Sequence, residues 1–154
     1  MAERLNYVAA SPRGVQAFGG VHLYLEKCDL PSELLNLVYL RVSQMNGCSY
    51  CISTHSNDLL KNGVRLQKLL LLEVWRETGE LFSADERAAL QWAEALARVA
   101  ETHAPDDDFQ AARARFEDKD LADLTYAVAL IGAYNRIAIG FRKGPDLTLK
   151  NQVS

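Results

Sequence analysis

The 154-residue chain has the length of one ordinary domain and can enclose a hydrophobic core without disulfide support. Apolar residues make up 49% and charged residues 24%, far from the composition of a disordered chain. A formal net charge of −3 gives no basic footprint for nucleic acid, and no uninterrupted apolar run approaches the ~20 residues that cross a bilayer. Neither nucleic acid nor membrane is therefore expected as a partner. No charged leader precedes an apolar stretch, which points to a cytoplasmic protein.

Strand signals are scarce and apolar residues recur at spacings of three and four, so the expected fold is all-α, with about six to seven helices in one domain over 1–154. A glycine-loosened helix is expected over about 13–27. "DLPSELL" opens a second, about 32–44, whose leucines and valines surround its circumference as in a segment buried on several sides. The Asn46-Gly47 pair should end it through a positive φ, and a third helix should run from near Cys48 to a second Asn-Gly at 62–63.

"RLQKLLLLEVWRETG" reads as one or two short helical pieces ended by Gly79. Ser83 with Glu86 three residues later forms a capping box for a helix through 83–101. After the polar break "APDDDF" a charged helix is expected near 109–117, then a long apolar one over 120–141. Its stretch 127–133 predicts burial at a subunit interface or along the bundle axis. A polar tail, 144–154, should fray.

Of the three cysteines, Cys48 and Cys51 stand three apart in "QMNGCSYCISTH", with His55 four beyond. On a helix turning ~100° per residue, His55 lies about 20° from Cys48, so all three share a face. Helix-start N–H groups favour a thiolate, but a dipole term of ~0.3–1 kcal/mol shifts a thiol of pKa ~8.5 by less than one unit. A base is needed. His55, one turn after Cys51, is placed to take its proton, which makes Cys51 the candidate nucleophile toward a peroxide and Cys48 the resolving thiol. Two alternatives stay open: a zinc site in which Cys28 completes a Cys₃His set, and plain burial of small thiols beside a satisfied histidine. Cys28, His22 and His103 read individually as packing or surface residues.

The string R-V-S-Q-x-N-G-C-x-Y-C-x-x-x-H, Arg41 to His55, together with "WRETGELFSADERAALQWAEAL" and "DLTYAVALIGAYNRIAIGFR", resembles the alkylhydroperoxidase D-like branch of the carboxymuconolactone decarboxylase family over about 15–143. The resemblance implies an all-α homo-trimer or homo-hexamer and a dithiol peroxidase using no haem, metal or other cofactor. It gives Cys51 the attack on a hydroperoxide and Cys48 the resolution. A lipoyl-protein or thioredoxin-like dithiol would restore the pair. Lactone decarboxylation is not expected, because the decarboxylases proper lack the cysteines.

The peroxidases of this branch carry a glutamate twelve residues before the first cysteine, in a proton relay with the histidine; here Asn36 stands there. An amide takes up no proton at neutral pH, so Glu33, one turn earlier, is the candidate substitute. Tyr39, Tyr50 and Tyr134 could donate to a peroxide oxygen, though packing roles suit each. If Asn36 marks lost peroxidase chemistry, the alternative is a redox-sensing or disulfide-exchange module.

Overall fold

The computed structural model describes residues 2–145, so the tail expected over 144–154 lies, from 146 on, outside the described residues. Within them are nine α-helices and two 3-10 segments: α1 (Tyr7–Ala10), α2 (Pro12–Leu25), α3 (Ser32–Asn46), α4 (Ser49–Lys61), α5 (Leu66–Leu70), 3-10 turns at Leu72–Glu77 and Gly79–Leu81, α6 (Ala84–Ala97), α7 (Val99–Thr102), α8 (Asp106–Arg113) and α9 (Asp118–Phe141). The fold is all-α. Six of these helices reach eight residues, and the rest are single turns.

Helix α3 is the hub. It packs against α4, α6 and α9, and its two sides feed different apolar clusters. Val38 and Val42 join Trp92, Leu124, Val128 and Ile131, whereas Leu37 and Leu40 join Leu59, Leu72, Trp75, Phe82 and Leu90. A helix that is apolar around its circumference finds burial on both sides.

Helix α9 is buried on one side: Ala127, Val128, Leu130, Ile131 and Gly132 of the stretch 127–133 are buried within the chain, whereas Ala129 is exposed and Ala133 half-buried. It has the length and composition of a membrane span. It packs instead against α2, α3, α4, α6 and α8, and it carries buried Asp123 and Asn135, both hydrogen-bonded.

Several expected boundaries move. The capping box at Ser83 and Glu86 forms, but the helix stops at Ala97 because Arg98 leaves helical geometry; α7 is a separate turn. The charged helix lies at Asp106–Arg113 rather than 109–117, since Pro105 opens it and three aspartates favour its first turn. Gly79, at φ 59°, ends one 3-10 turn and begins another.

The buried Glu94 of α6 ties three elements together. It accepts from Arg41 Nε at 2.6 Å and Trp75 Nε1 at 3.0 Å, and it pairs with Arg76. Burial alone would raise its pKa, but these donors outweigh it and hold the carboxyl below its ordinary range. Glu94→Ala leaves Arg41 and Trp75 without their acceptor, so denaturant unfolding should show a loss of about 2–4 kcal/mol.

Candidate functional site

The site begins at the joint between α3 and α4. Gly47 takes φ 69°, its N–H bonds Gln44 O at 3.1 Å, and Cys48 N–H bonds Ser43 O at 3.0 Å, so α3 ends in a Schellman turn. The joint is fastened to α9 by one buried amide. Asn135 Oδ1 accepts from Asn46 Nδ2 at 2.9 Å, and its Nδ2 donates to Ser43 Oγ at 3.0 Å. Ser43, Asn46 and Gly47 of the signature string therefore have geometric duties, as does Arg41 on Glu94.

Cys48 is the N-cap of α4, and its sulfur accepts from Cys51 N–H at 3.3 Å. The two cysteines form a disulfide with Cα atoms 5.4 Å apart, and both are buried, at 1% and 3% exposure. The sulfurs are not equivalent. Cys51 lines a cavity of about 230 Å³, together with Tyr7, His22, Tyr39, Tyr50, Thr54, His55, Leu130, Ile131 and Tyr134, whereas Cys48 lies behind it.

His55 enters that cavity from α4 and meets two residues of α3. Its Nδ1 is 3.0 Å from Asn36 Oδ1, and its ring lies 5.0 Å from that of Tyr39. Asn36 Nδ2 donates to Ser32 O at 3.0 Å, which turns its carbonyl oxygen toward the imidazole. An oxygen there requires Nδ1 to carry the proton, leaving the Nε2 lone pair free. Burial, with a smaller push from His22, holds the imidazole at about 4, so it is neutral at pH 7. Burial, followed by the influence of Cys28, raises Tyr39 well above its ordinary value and keeps its hydroxyl a donor.

The other candidates are sorted by their neighbours. Glu33 does not stand in for the missing relay: Lys68 Nζ holds it at 3.1 Å and Glu86 at 2.6 Å, bridging α3, α5 and α6. Asn36, not Glu33, is the residue that reaches His55. Cys28 is a half-buried free thiol packed on the main cluster, and among the described residues no three metal-ligating side chains converge, so the Cys₃His arrangement does not form. His22, read as packing or surface, lines the cavity and sits 3.3 Å from Glu26. Tyr39, Tyr50 and Tyr134 all line it too. Tyr7 came without warning, since nothing local links residue 7 to residue 51.

Residues 9–95 match the carboxymuconolactone decarboxylase family, and the chain belongs to it as an AhpD-like member. It is 30% identical over 139 residues to the uncharacterised protein YdfG of Bacillus subtilis, covering 90% of this chain and 94% of that one. It is 36% identical over 114 residues to the uncharacterised protein YnjA of Escherichia coli, covering 73% of this chain and 58% of that one. Among solved structures, it superposes with TM-score 0.91 and 36% identity on a protein of unknown function from Agrobacterium tumefaciens proposed to be the antioxidant-defence protein AhpD, covering 95% and 99% of the two chains.

The depressed His55 value has a thermodynamic consequence. Between its ordinary 6.5 and about 4 the unfolded chain binds a proton that the folded chain refuses. Its contribution to stability is complete above pH 6.5 and is lost as pH falls toward 4. Denaturant midpoints of the wild type should therefore fall more steeply across that window than those of His55→Gln.

Proposed function

We propose that the protein reduces organic hydroperoxides with the Cys48–Cys51 dithiol, as an oxidoreductase of the alkylhydroperoxidase kind. The observation that supports this most directly is the shared wall: Cys51 and His55 face one cavity, with Cys48 bonded behind Cys51. In the reduced protein, Cys51 gives its proton to His55 Nε2 and its thiolate attacks the terminal peroxide oxygen. The O–O bond breaks, the alcohol leaves with the proton from the imidazolium, and Cys51 becomes a sulfenic acid. Cys48 then attacks that sulfur, water leaves, and the disulfide forms. Two electrons have passed from two thiols to the peroxide.

Return to the dithiol needs an outside dithiol, of lipoyl or thioredoxin-like chemistry. It would attack Cys51, the sulfur on the cavity, and expel Cys48 as a thiolate that Cys51 N–H stabilises. A reducing compartment such as the cytoplasm suits this cycle. So does assembly into a homo-trimer or homo-hexamer, for which the exposed Phe18, Val21, Leu23 and Tyr24 of α2 offer apolar surface.

Activity is expected to be modest. Moving a proton from a thiol of pKa ~8.5 to an imidazole near 4 costs about 6 kcal/mol unassisted. Asn36 orients His55 without charging it. That same feature favours the second reading, a disulfide-exchange or redox-sensing module in which peroxide is not the oxidant.

Stopped-flow consumption of cumene hydroperoxide separates the two. Cys51→Ser should abolish turnover, and Cys48→Ser should stop after one equivalent with a sulfenic acid trappable by dimedone. Oxidation of the pair only by a protein disulfide would leave the exchange module standing instead. In Asn36→Glu a carboxylate beside Nδ1 raises the His55 pKa, and turnover should rise about tenfold or more. An unchanged rate, with the His55 titration shifted upward by NMR, would remove the missing carboxylate as the cause of slow chemistry.

A further inference from the structure

The C-terminal end of α9 brings a cation to the candidate site. Arg142 adopts φ 57°, its N–H bonds Ile139 O at 3.2 Å, and Lys143 N–H bonds Ala138 O at 2.9 Å, so a Schellman turn folds Lys143 back toward the bundle. The N-terminal segment braces this turn. Arg4 N–H bonds Phe141 O at 2.9 Å, Arg4 Nη1 bonds Gly140 O at 3.1 Å, and Tyr7 stacks on Phe141 at 5.6 Å.

Lys143 is thereby delivered to two residues of the cavity wall. Its Nζ lies 4.1 Å from the centre of the Tyr50 ring and 3.4 Å from the Tyr7 hydroxyl, which it faces as a donor. Both partners are tyrosine side chains. No carboxylate among the described residues pairs with Lys143, whereas Glu26, whose charge is felt at Tyr39, is already engaged by His22 at 3.3 Å. Burial works against this half-buried ammonium, but the Tyr50 and Tyr7 phenols outweigh it and hold its pKa above the ordinary value, so it stays a cation. An ammonium has three N–H donors, the two phenols account for two, and an anion would complete its coordination.

We propose that Lys143 recognises a carboxylate on the substrate, so that the preferred hydroperoxide is a compact, ring-sized organic acid rather than hydrogen peroxide or a neutral alkyl hydroperoxide. This rests on the cavity being the substrate site of the proposed reaction. Size agrees with the class: about 150 Å³ suffices for a benzene ring in an apolar protein cavity, and here about 230 Å³ is bounded by Leu130, Ile131 and four tyrosines. A lone ammonium suits a monoanion; phosphate recognition usually calls on several converging donors.

The test compares cumene hydroperoxide with its para-carboxylate analogue. For the wild type, kcat/KM should favour the acid by about tenfold at low salt, and added salt should shrink the preference. Lys143→Gln should bring the ratio to about one, with the loss falling on KM, and Lys143→Arg should keep most of it. A wild-type ratio near one, or a ratio that Lys143→Gln leaves unchanged, overturns the proposal even when cumene hydroperoxide is turned over through Cys51. Calorimetric titration of the oxidised protein with 4-isopropylbenzoate and with 4-isopropylbenzyl alcohol needs no turnover. Tighter binding of the benzoate that Lys143→Gln abolishes supports the carboxylate site even if no hydroperoxide is reduced, and equal binding of the two overturns it.

Discussion

One buried amide holds the site in shape. Asn135 sits at 1% exposure in the apolar middle of α9, where an unpaired amide would be costly, and it spends its donor on Ser43 and its acceptor on Asn46. Those two residues bracket the last turn of α3, immediately before the glycine that reverses the chain. With α3 fixed against α9 and Gly47 supplying the left-handed step, α4 can leave in only a narrow range of directions. That range places Cys48 at the N-cap and turns His55 back onto Asn36 and Tyr39, one turn apart on α3. The chemistry is thus arranged by a polar clasp in the core, well before any peroxide is considered.

Much of this was readable from local chemistry. Asn-Gly at 46–47 and 62–63 marked helix ends because only glycine takes φ 69° or 84° without strain, and both took it. The shared face of Cys48, Cys51 and His55 followed from helical geometry, and the Ser83–Glu86 box from spacing alone. What escaped depends on partners distant in sequence. Glu33 was one turn from Asn36 and open as a relay, yet Lys68, 35 residues on, captures it. Tyr7 and His22 line the cavity, and Lys143 touches Tyr7 and Tyr50 of its wall, through packing between segments far apart in sequence. Helix α8 starts three residues before the expected 109 because Pro105 and the three aspartates that follow, which read as a polar break, set its first turn.

The two sulfurs acquire different characters from positions three residues apart. Cys48 is buried and does not line the cavity, and its sulfur receives a backbone N–H, an arrangement that stabilises negative charge. Cys51 lies on the cavity wall within reach of His55's helix face. A stabilised thiolate is a good leaving group and an available intramolecular nucleophile, whereas an accessible sulfur is what an outside reagent meets first. In the proposed cycle, accessibility gives Cys51 the encounters with substrate and reductant, and capping gives Cys48 the internal step. The N-cap alone would suggest the opposite order; the cavity favours the one proposed.

Asn36 matters because it separates two duties that one carboxylate would combine. By accepting from Nδ1 it fixes the tautomer, so the Nε2 lone pair is free as surely as it would be beside a glutamate. It adds no charge, however, and burial then governs, leaving the imidazole neutral and weakly basic. Orientation without basicity lowers the entropic part of the barrier while leaving the cost of proton transfer in place. Such a site gains most from substrates whose own binding is strong, since residence beside Cys51 compensates for infrequent deprotonation. A cation against two tyrosines of the cavity wall, placed by a turn with no part in proton transfer, is the kind of addition that meets that need.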